Sequence, residues 1–173
     1  MSAEPARELI DVVDEADRVV DRRPRAEVRA HNLRHRAVYV LVLNRRGDIF
    51  VHLRTATKDV YPAHHDVAVG GVPRAGEDYD GAAAREVAEE LGLAGPELEP
   101  LFPIRYADAH TIVNGMVYRC VHEGPFRLQP EEIVSGEFLD LAELDRRRTL
   151  LPFCPDGLAV LARYRGQMGP PHP

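Results

Sequence analysis

One strongly predicted helix, residues 80–91 (DGAAAREVAEEL), lies in the middle of the chain, and the segments on both sides of it are β-rich. Its alanines and glutamates have high helix propensity. Asp80 is placed to cap the first turn, and Gly92 is placed to end the helix in the left-handed conformation. A helix isolated between groups of strands favours an α+β fold with a mixed sheet over a regular βαβ array.

The segments around this helix have the patterns of strands and turns. Residues 8–21 predict a hairpin, and residues 24–32 predict a short helix. Residues 35–44 and 49–54 predict a second hairpin, because two β-rich runs flank the turn sequence NRRGD. The remaining predicted strands are residues 66–69, 101–106, 111–122 and 133–139, and a terminal helix is predicted at residues 155–164.

Length and composition predict a single domain. A chain of 173 residues with 45% hydrophobic and 29% charged residues is typical of one globular unit. Within residues 1–173 we expect three parts: an N-terminal hairpin and short helix in residues 1–34, the core in residues 35–166, and a tail in residues 167–173.

The distribution of apolar residues predicts a cytoplasmic protein. The longest apolar run, residues 37–43, is far shorter than the roughly 18–20 residues that span a bilayer. The N-terminal segment is acidic and lacks the apolar stretch of a signal peptide. Two cysteines, Cys120 and Cys154, are too few for a disulfide scaffold or a thiolate zinc site.

Three carboxylates, Glu86, Glu89 and Glu90, are spaced to share one face of the central helix. Residues three and four apart have Cβ atoms about 5–6 Å from each other, so the three charges repel. One interpretation is a solvated acidic face. The other is a site for a hard divalent cation such as Mg²⁺ or Mn²⁺, with Val87 and Leu91 anchoring the opposite face in the core.

A glycine-bearing loop, residues 70–76 (GGVPRAG), precedes the helix and favours the second interpretation. Glycine permits close approach of the backbone to a ligand, which suits a metal-bound phosphate. Gly71, five further residues, Glu77, seven further residues and the segment REVAEELGL match the Nudix box G-x5-E-x7-R-E-U-x-E-E-x-G-U at every position. The chain therefore resembles the Nudix (MutT-related) hydrolase superfamily.

The resemblance implies an α/β/α sandwich and assigns roles to residues of the box. Glu86, Glu89 and Glu90 correspond to the metal-binding glutamates, and the carbonyl of Gly70 is a further ligand in many members. The box positions Gly71, Glu77, Arg85 and Gly92 are structural, with Glu77 and Arg85 expected to pair and hold the loop on the helix.

The resemblance also implies a general base close to the metal. Glu89 is the candidate within the box. Glu131 and Glu132 are the candidates on a later loop, and we select Glu132 for the catalytic set. The alternative for both later glutamates is that they are solvated loop acids.

The implied reaction is Mg²⁺-dependent hydrolysis of a nucleoside diphosphate linked to another group X, with Mn²⁺ as a possible substitute. A divalent ion lowers the pKa of a bound water, and a carboxylate deprotonates that water for attack on phosphorus. This chemistry needs no serine or cysteine nucleophile, and Cys120 lies inside a predicted strand. The alternative is a catalytically silent Nudix domain that binds a ligand or partner.

One branch of the superfamily, the isopentenyl-diphosphate isomerases, is similar beyond the box. The shared features are the segment LRHRA at residues 33–37, the step Tyr61-Pro62, and the basic pair Arg54 and Lys58, which in the isomerases lies near the substrate diphosphate. The isomerase cysteine, metal-binding histidine and two later glutamates are replaced here. The corresponding residues are Gly70, Val72, Asn114 and Met116.

These departures favour a hydrolase that is isomerase-like in overall sequence. The isomerase is retained only as a less favoured alternative. Two further residues on the loop before the box, His64 and His65, are expected to face solvent.

The formal net charge of −6 disfavours a long nucleic-acid partner, which requires a basic surface. The acidity is local, because residues 77–90 carry −5 and the other 159 residues together carry −1. A divalent ion at this element would therefore allow a small diphosphate substrate to bind. We expect no membrane partner, and analogy with the superfamily suggests a homodimer through the N-terminal segment.

Overall fold

The computed structural model describes residues 6–168, which form a mixed sheet with helices on both of its faces. Its strands are β1 (Leu9–Val13), β2 (Val19–Pro24), β3 (His35–Leu43), β4 (Ile49–Arg54), β5 (His65–Asp66), β6 (Glu99–Ala107), β7 (Ile112–Val121) and β8 (Ile133–Leu139). Its helices are α1 (Arg25–Ala30), α2 (Tyr79–Leu91), α3 (Leu141–Arg147) and α4 (Pro155–Met168).

Strand β3 is the centre of the sheet. It runs parallel to β7 over its whole length, from the pair His35 and Val113 to the pair Leu43 and Val121. β7 in turn pairs antiparallel with β6, and β4 pairs antiparallel with β8. At the other edge, β2 pairs with β1, which meets the start of β3.

Successive residues of β3 point to opposite faces of the sheet, and both faces are covered. Val38, Val40 and Val42 pack against α2, where Val87 and Leu91 are fully buried. The alternate residues of β3, including Tyr39 and Leu41, pack on the other face with residues of α3 and α4: Leu144, Val160, Leu161 and Tyr164. Burial on both faces explains the continuous apolar run of β3, and the α/β/α sandwich is confirmed.

The central helix begins one residue earlier than predicted, and its N-cap lies two residues earlier. Asp78, and not Asp80, is the N-cap: its backbone is extended and its Oδ1 accepts from the Gly81 amide at 2.7 Å. Asp80 lies in the first turn and accepts from the hydroxyl of Tyr118. Gly92 ends the helix as predicted, with φ of +69°.

Other boundaries differ where long-range pairing decides the structure. The strand predicted at residues 66–69 is the two-residue β5 followed by an isolated bridge between Val69 and Val40. β3 and β4 pair with each other only at Leu43 and Ile49, and β4 pairs over its length with β8. The short helix α3 is absent from the sequence prediction.

The hairpin and the helix predicted at the two ends of the chain are present and are longer than predicted. The N-terminal hairpin is present, with its second strand continuing to Pro24. α4 continues to Met168, two residues into the predicted tail, and residues 169–173 lie outside the described part of the chain. No helix among the described residues is long and apolar enough to cross a membrane.

Candidate active site

A cleft of about 590 Å³ lies between the carboxylate face of α2 and two loops that follow β4 and precede β8. Gly70 and Gly71 form part of its wall. The charged and polar side chains that line it are Arg7, Glu8, Arg25, Lys58, Arg74, Arg85, Glu86, Glu89, Gln129 and Glu132. A second, inner pocket of about 70 Å³ adjoins the cleft through Arg25, Lys58, Gly70 and Gly71, which line both.

The three box glutamates lie at different depths on α2. Glu90 is 4% exposed, the Glu86 side chain is 12% exposed, and the Glu89 side chain is 43% exposed. Burial raises the pKa of Glu90 to about 8, and the nearby charge of Glu86 adds to this rise. Within residues 6–168, no group donates a hydrogen bond to the Glu90 carboxylate, so a buried acid lacks a partner.

Arg85 links the glycine loop to the carboxylates of the helix. Its Nε and Nη2 donate to the two oxygens of Glu77 at 2.9 and 2.8 Å. Its Nη1 donates to Glu86 at 2.8 Å and to Glu89 at 3.2 Å. The Glu77 carboxylate also accepts from the Arg74 amide, which fixes the turn of the loop. One guanidinium therefore braces the loop and neutralises part of the charge on two box glutamates.

The two glycines before the loop allow the backbone to pass between β3 and α2. The segment pairs with β3, where the Val38 amide donates to the Gly71 carbonyl at 2.9 Å. A Cβ on Gly70 would lie 2.0 Å from the Val38 carbonyl oxygen, and a Cβ on Gly71 would lie 2.6 Å from the Glu86 carboxylate. These contacts explain why the box needs glycine here, since any side chain would displace the strand or the carboxylate.

Of the later-loop glutamates, Glu132 lines the cleft and forms an ion pair with Lys58. The Glu132 carbonyl accepts from the Thr55 amide at 3.1 Å, which ties this loop to the end of β4. Glu131 is exposed, and its carbonyl accepts from the Thr55 hydroxyl at 3.0 Å. The structure therefore brings Glu132, together with Lys58, to the box glutamates.

Arg54 is not beside Lys58 in the cleft, although both line the inner pocket. Its guanidinium donates to the carbonyls of Val60 at 2.9 Å and Tyr61 at 3.4 Å. It also lies 3.8 Å from the Asp66 carboxylate. These contacts hold the loop after β4, so Arg54 supports the pocket wall and Lys58 faces the cleft.

Buried acids form one side of the inner pocket. Burial and the neighbouring charge of Asp156 raise the pKa of Asp66 to about 7. Burial also raises the pKa of Asp156, which accepts from the Tyr39 hydroxyl at 2.9 Å. This side of the pocket therefore favours protonated acids and hydrogen-bonding ligand groups over a deeply inserted anion.

His35 lies on the opposite side of the inner pocket at the start of β3. Its Nε2 accepts from Arg29 at 3.1 Å, which leaves Nδ1 to donate to the Leu33 carbonyl at 2.8 Å. This arrangement assigns the neutral imidazole. Burial, and then the positive charge of Arg29, lowers the pKa of His35 to about 3.

We expect acid to destabilise the protein through His35. The unfolded chain binds a proton at this residue below its ordinary pKa of 6.5, and the folded chain does not until about pH 3. Between pH 6.5 and about pH 4, the wild type should lose about 3 kcal/mol more free energy of unfolding than His35→Gln, which cannot titrate. Urea unfolding at a series of pH values measures this difference, and parallel pH profiles would show that His35 is not held neutral.

The residues of the cleft fit a hard divalent cation. Among residues 6–168, no three potential ligand side chains already form a complete metal cluster, and Glu86, Glu89 and Glu132 instead form ion pairs with Arg85 or Lys58. The unpartnered buried carboxylate of Glu90 and the oxygen donors around it are nevertheless the ligands that Mg²⁺ and Mn²⁺ prefer. A bound ion would replace the contacts of Arg85 with Glu86 and Glu89.

The structure also places residues that the sequence did not single out. Arg25 and Gln129, which lie outside the box, and Arg74, which occupies a variable position of its glycine loop, all line the cleft. The chain has 22 lysines and arginines, so composition alone does not distinguish these arginines from the others. His64 is partly buried, with its Nδ1 within 2.9 Å of the Pro62 carbonyl, and His65 stacks on Phe153.

The positions compared with the isomerase glutamates lie away from the cleft. Asn114 accepts from Arg34 at 3.2 Å and donates to the Asp14 carbonyl at 2.9 Å. Met116 packs with the core on the α2 face. Cys120 is buried in the same core. These side chains have structural surroundings, and none of them lines the cleft in the described part of the chain.

Comparison with known proteins gives consistent matches over most of the chain. The NUDIX domain matches residues 33–159. A protein of Streptomyces coelicolor, named as an uncharacterized Nudix hydrolase, is 46% identical over 170 residues, which cover 95% of this chain and 94% of that protein.

Solved structures show the same fold. The crystal structure of DR0079 from Deinococcus radiodurans has a TM-score of 0.78 at 28% identity, covering 91% of this chain and 98% of that one. The NUDIX domain of Shewanella oneidensis NrtR, complexed with ADP ribose, has a TM-score of 0.63 at 15% identity, covering 84% of this chain and 99% of that one.

Proposed function

This chain belongs to the Nudix hydrolase family, whose members act on diphosphate bonds, and from that premise we propose a Mg²⁺-dependent pyrophosphohydrolase with a nucleotide-like substrate. The observation that carries the proposal is the buried carboxylate of Glu90, which has no hydrogen-bond donor among residues 6–168 and lies on the same helix face as Glu86 and Glu89, the two box glutamates that line the open cleft. A buried acid of this kind is costly unless a cation or a proton satisfies it.

In this proposal Glu86, Glu89, Glu90 and the carbonyl of Gly70 would hold the divalent ion. When bound, the ion neutralises phosphate charge and lowers the pKa of a water molecule. Arg85 leaves the box glutamates at this stage but keeps its two hydrogen bonds to Glu77, so the glycine loop stays in place. Lys58 contributes a positive charge at the cleft for the substrate phosphates, and Arg54 keeps the wall behind it rigid.

Two glutamates are our candidates to accept the proton of the attacking water. Glu89 is the most exposed of the box glutamates, and loss of its contact with Arg85 would free it to turn towards the water. Glu132 lies across the cleft, where Lys58 holds its carboxylate. We propose both as the catalytic pair, with one carboxylate accepting the proton of the attacking water and the other stabilising the water bound in the site.

The site and the fold support a nucleotide-like diphosphate as the substrate class. The NUDIX domain of NrtR, which shares this fold, is complexed with ADP ribose, so nucleotide-like diphosphates are the first compounds to test. The N-terminal strands β1 and β2 belong to the same sheet as the core, which supports the single domain proposed for residues 1–173. The same segment remains our proposal for a homodimer contact.

A panel of nucleoside diphosphates, nucleotide sugars and dinucleotides tests the function. We expect Mg²⁺ to support cleavage of at least one compound between its two phosphorus atoms, with Mn²⁺ as a substitute and complete loss of activity in a chelator. Mass spectrometry of the products identifies the bond broken. Tight diphosphate binding without cleavage would instead indicate a silent binding domain, and dimethylallyl diphosphate formed from its isomer would indicate an isomerase.

A further inference from the structure

Two arginines of α1 meet one carboxylate of the loop after β4. Asp59 Oδ2 accepts from Arg25 Nε at 3.1 Å and from Arg29 Nε at 3.2 Å. The two arginines are four residues apart and therefore share a face of the helix. Burial alone would raise the pKa of Asp59, but the charges of Arg25 and Arg29 outweigh it and lower the pKa below its ordinary value. The carboxylate is therefore a permanent anchor for both guanidinium groups.

The two arginines differ in what their remaining nitrogens contact. Arg29 Nη1 donates to the His35 ring at 3.1 Å and to the Thr111 hydroxyl at 3.3 Å, so its contacts point into the protein. Within residues 6–168, the terminal nitrogens of Arg25 donate to no acceptor. The Arg25 side chain is nevertheless only 17% exposed, so a largely buried cation presents unused donors.

The charges around this point do not balance. Asp59 contacts both arginines, and Glu132 neutralises Lys58, which leaves one positive charge among these five side chains. A partly buried charge without a counterion is unfavourable, whereas an ionised phosphate would satisfy it. The unused donors of Arg25 and the excess charge therefore indicate an anion at the same place.

That place is the passage between the cleft and the inner pocket. Arg25 lines both spaces, together with Lys58, Gly70 and Gly71. A diphosphate with one phosphate at the box glutamates and its X group directed to the inner pocket would pass this point. The acids Asp66 and Asp156, which also line the inner pocket, disfavour deeper insertion of the anion.

We propose that Arg25, oriented by Asp59, binds the phosphate on the X side of the scissile linkage. This inference rests on the proposed function, and it assigns substrate binding to a residue outside the Nudix box and outside the isomerase-like pair. Arg25 acts in binding, and Asp59 is a positioning residue that acts through it. Arg25 contributes little to the binding of a monophosphate that is held at the box glutamates. The site therefore selects substrates in which both phosphates of the linkage are ionised.

Calorimetric binding of imidodiphosphate in the presence of Mg²⁺ tests the proposal with a probe that resists hydrolysis. We expect Arg25→Gln to weaken binding by about 10- to 100-fold, because a charge-assisted, bidentate contact is lost. The matched control is Arg146→Gln, which removes the same charge from an arginine of α3 that is 61% exposed and pairs with Glu143. The control should bind within about twofold of the wild type, since surface charges contribute little.

Asp59→Asn tests the positioning role in a double-mutant cycle. It should weaken imidodiphosphate binding in the wild-type background and have little further effect in the Arg25→Gln background, since the two residues act as one unit. A purely structural role of Asp59 would give the same loss in both backgrounds. If Arg25→Gln does not fold, Arg25→Lys carries the test, with about 3- to 10-fold weaker binding expected from loss of the planar fork.

The proposal would be overturned if Arg25→Gln, or Arg25→Lys where that variant replaces it, bound imidodiphosphate with wild-type affinity. It would also be overturned if the wild type bound no imidodiphosphate. Because binding is measured without turnover, the result does not depend on finding the substrate. Binding that requires Arg25 without hydrolysis of any compound would contradict the proposed function alone. Hydrolysis with normal binding in Arg25→Gln would contradict this inference alone.

Discussion

Replacement of Glu90 or Glu89 by glutamine is expected to abolish most of the hydrolysis, with kcat lowered by about 10²- to 10⁴-fold. Glutamine keeps the size of each side chain but removes the negative charge that would hold the divalent ion. Glu90 is the more informative position, because its carboxylate is buried and has no hydrogen-bond donor among residues 6–168. Initial rates with Mg²⁺ on the best substrate of the panel measure the effect.

The same substitution separates loss of function from loss of the fold. Burial raises the pKa of Glu90 from its ordinary value of 4.5 to about 8, so without metal the folded protein loses stability as the pH rises between these values, where the unfolded chain ionises at Glu90 and the folded chain does not. Glu90→Gln should therefore be at least as stable as the wild type towards urea. Glu99→Gln is the matched control and should retain full activity, since Glu99 is an exposed residue of β6 that pairs with Arg119. Unchanged turnover in both Glu89→Gln and Glu90→Gln would contradict the assignment of the metal site.

The second large effect is expected at Gly70, where alanine should lower the free energy of unfolding by about 2–4 kcal/mol. The added Cβ would lie 2.0 Å from the Val38 carbonyl oxygen, which belongs to the central strand. The segment must then separate from β3, where the Val40 and Val69 backbones exchange hydrogen bonds of 2.7 and 3.0 Å. Urea unfolding followed by circular dichroism measures the loss.

Gly166→Ala is the matched control for this substitution. Gly166 lies in α4, and among residues 6–168 a Cβ added there would have no atom of another group within 4 Å, so alanine should stabilise the helix by up to about 1 kcal/mol. The two variants therefore make the same chemical change with opposite expected signs. A loss below about 1 kcal/mol in Gly70→Ala would show that the segment can move away from β3 at little cost.

The sequence predicted well those features that are encoded within a few neighbouring residues. The helix, its left-handed end at Gly92 and the burial of Val87 and Leu91 follow from propensity and spacing, and the structure contains all of them. The N-cap was wrong by two residues, because Asp78 and Asp80 are equally good capping residues in sequence. Only the extended backbone at Asp78 and its bond to the Gly81 amide distinguish them.

Features that depend on distant segments could not be predicted in this way. The resemblance to the isomerases predicts Arg54 and Lys58 as a basic pair near the substrate diphosphate, whereas only the structure shows that the carbonyls of a folded loop accept hydrogen bonds from the Arg54 guanidinium. Arg25 reaches the site because α1 packs beside a loop more than thirty residues later, where the Asp59 carboxylate accepts a hydrogen bond from its guanidinium. Such contacts are set by sheet topology, and no local pattern of charge or apolar spacing encodes them.

The central claim is that this cleft hydrolyses a diphosphate linkage with a metal-dependent water. The most direct measurement is the mass of the products when the best substrate is cleaved with Mg²⁺ in water labelled with heavy oxygen. We predict that one labelled oxygen enters one of the two phosphate products, and that a chelator prevents both cleavage and labelling. Cleavage without incorporation of the label into phosphate, or cleavage that continues in the chelator, would contradict the account.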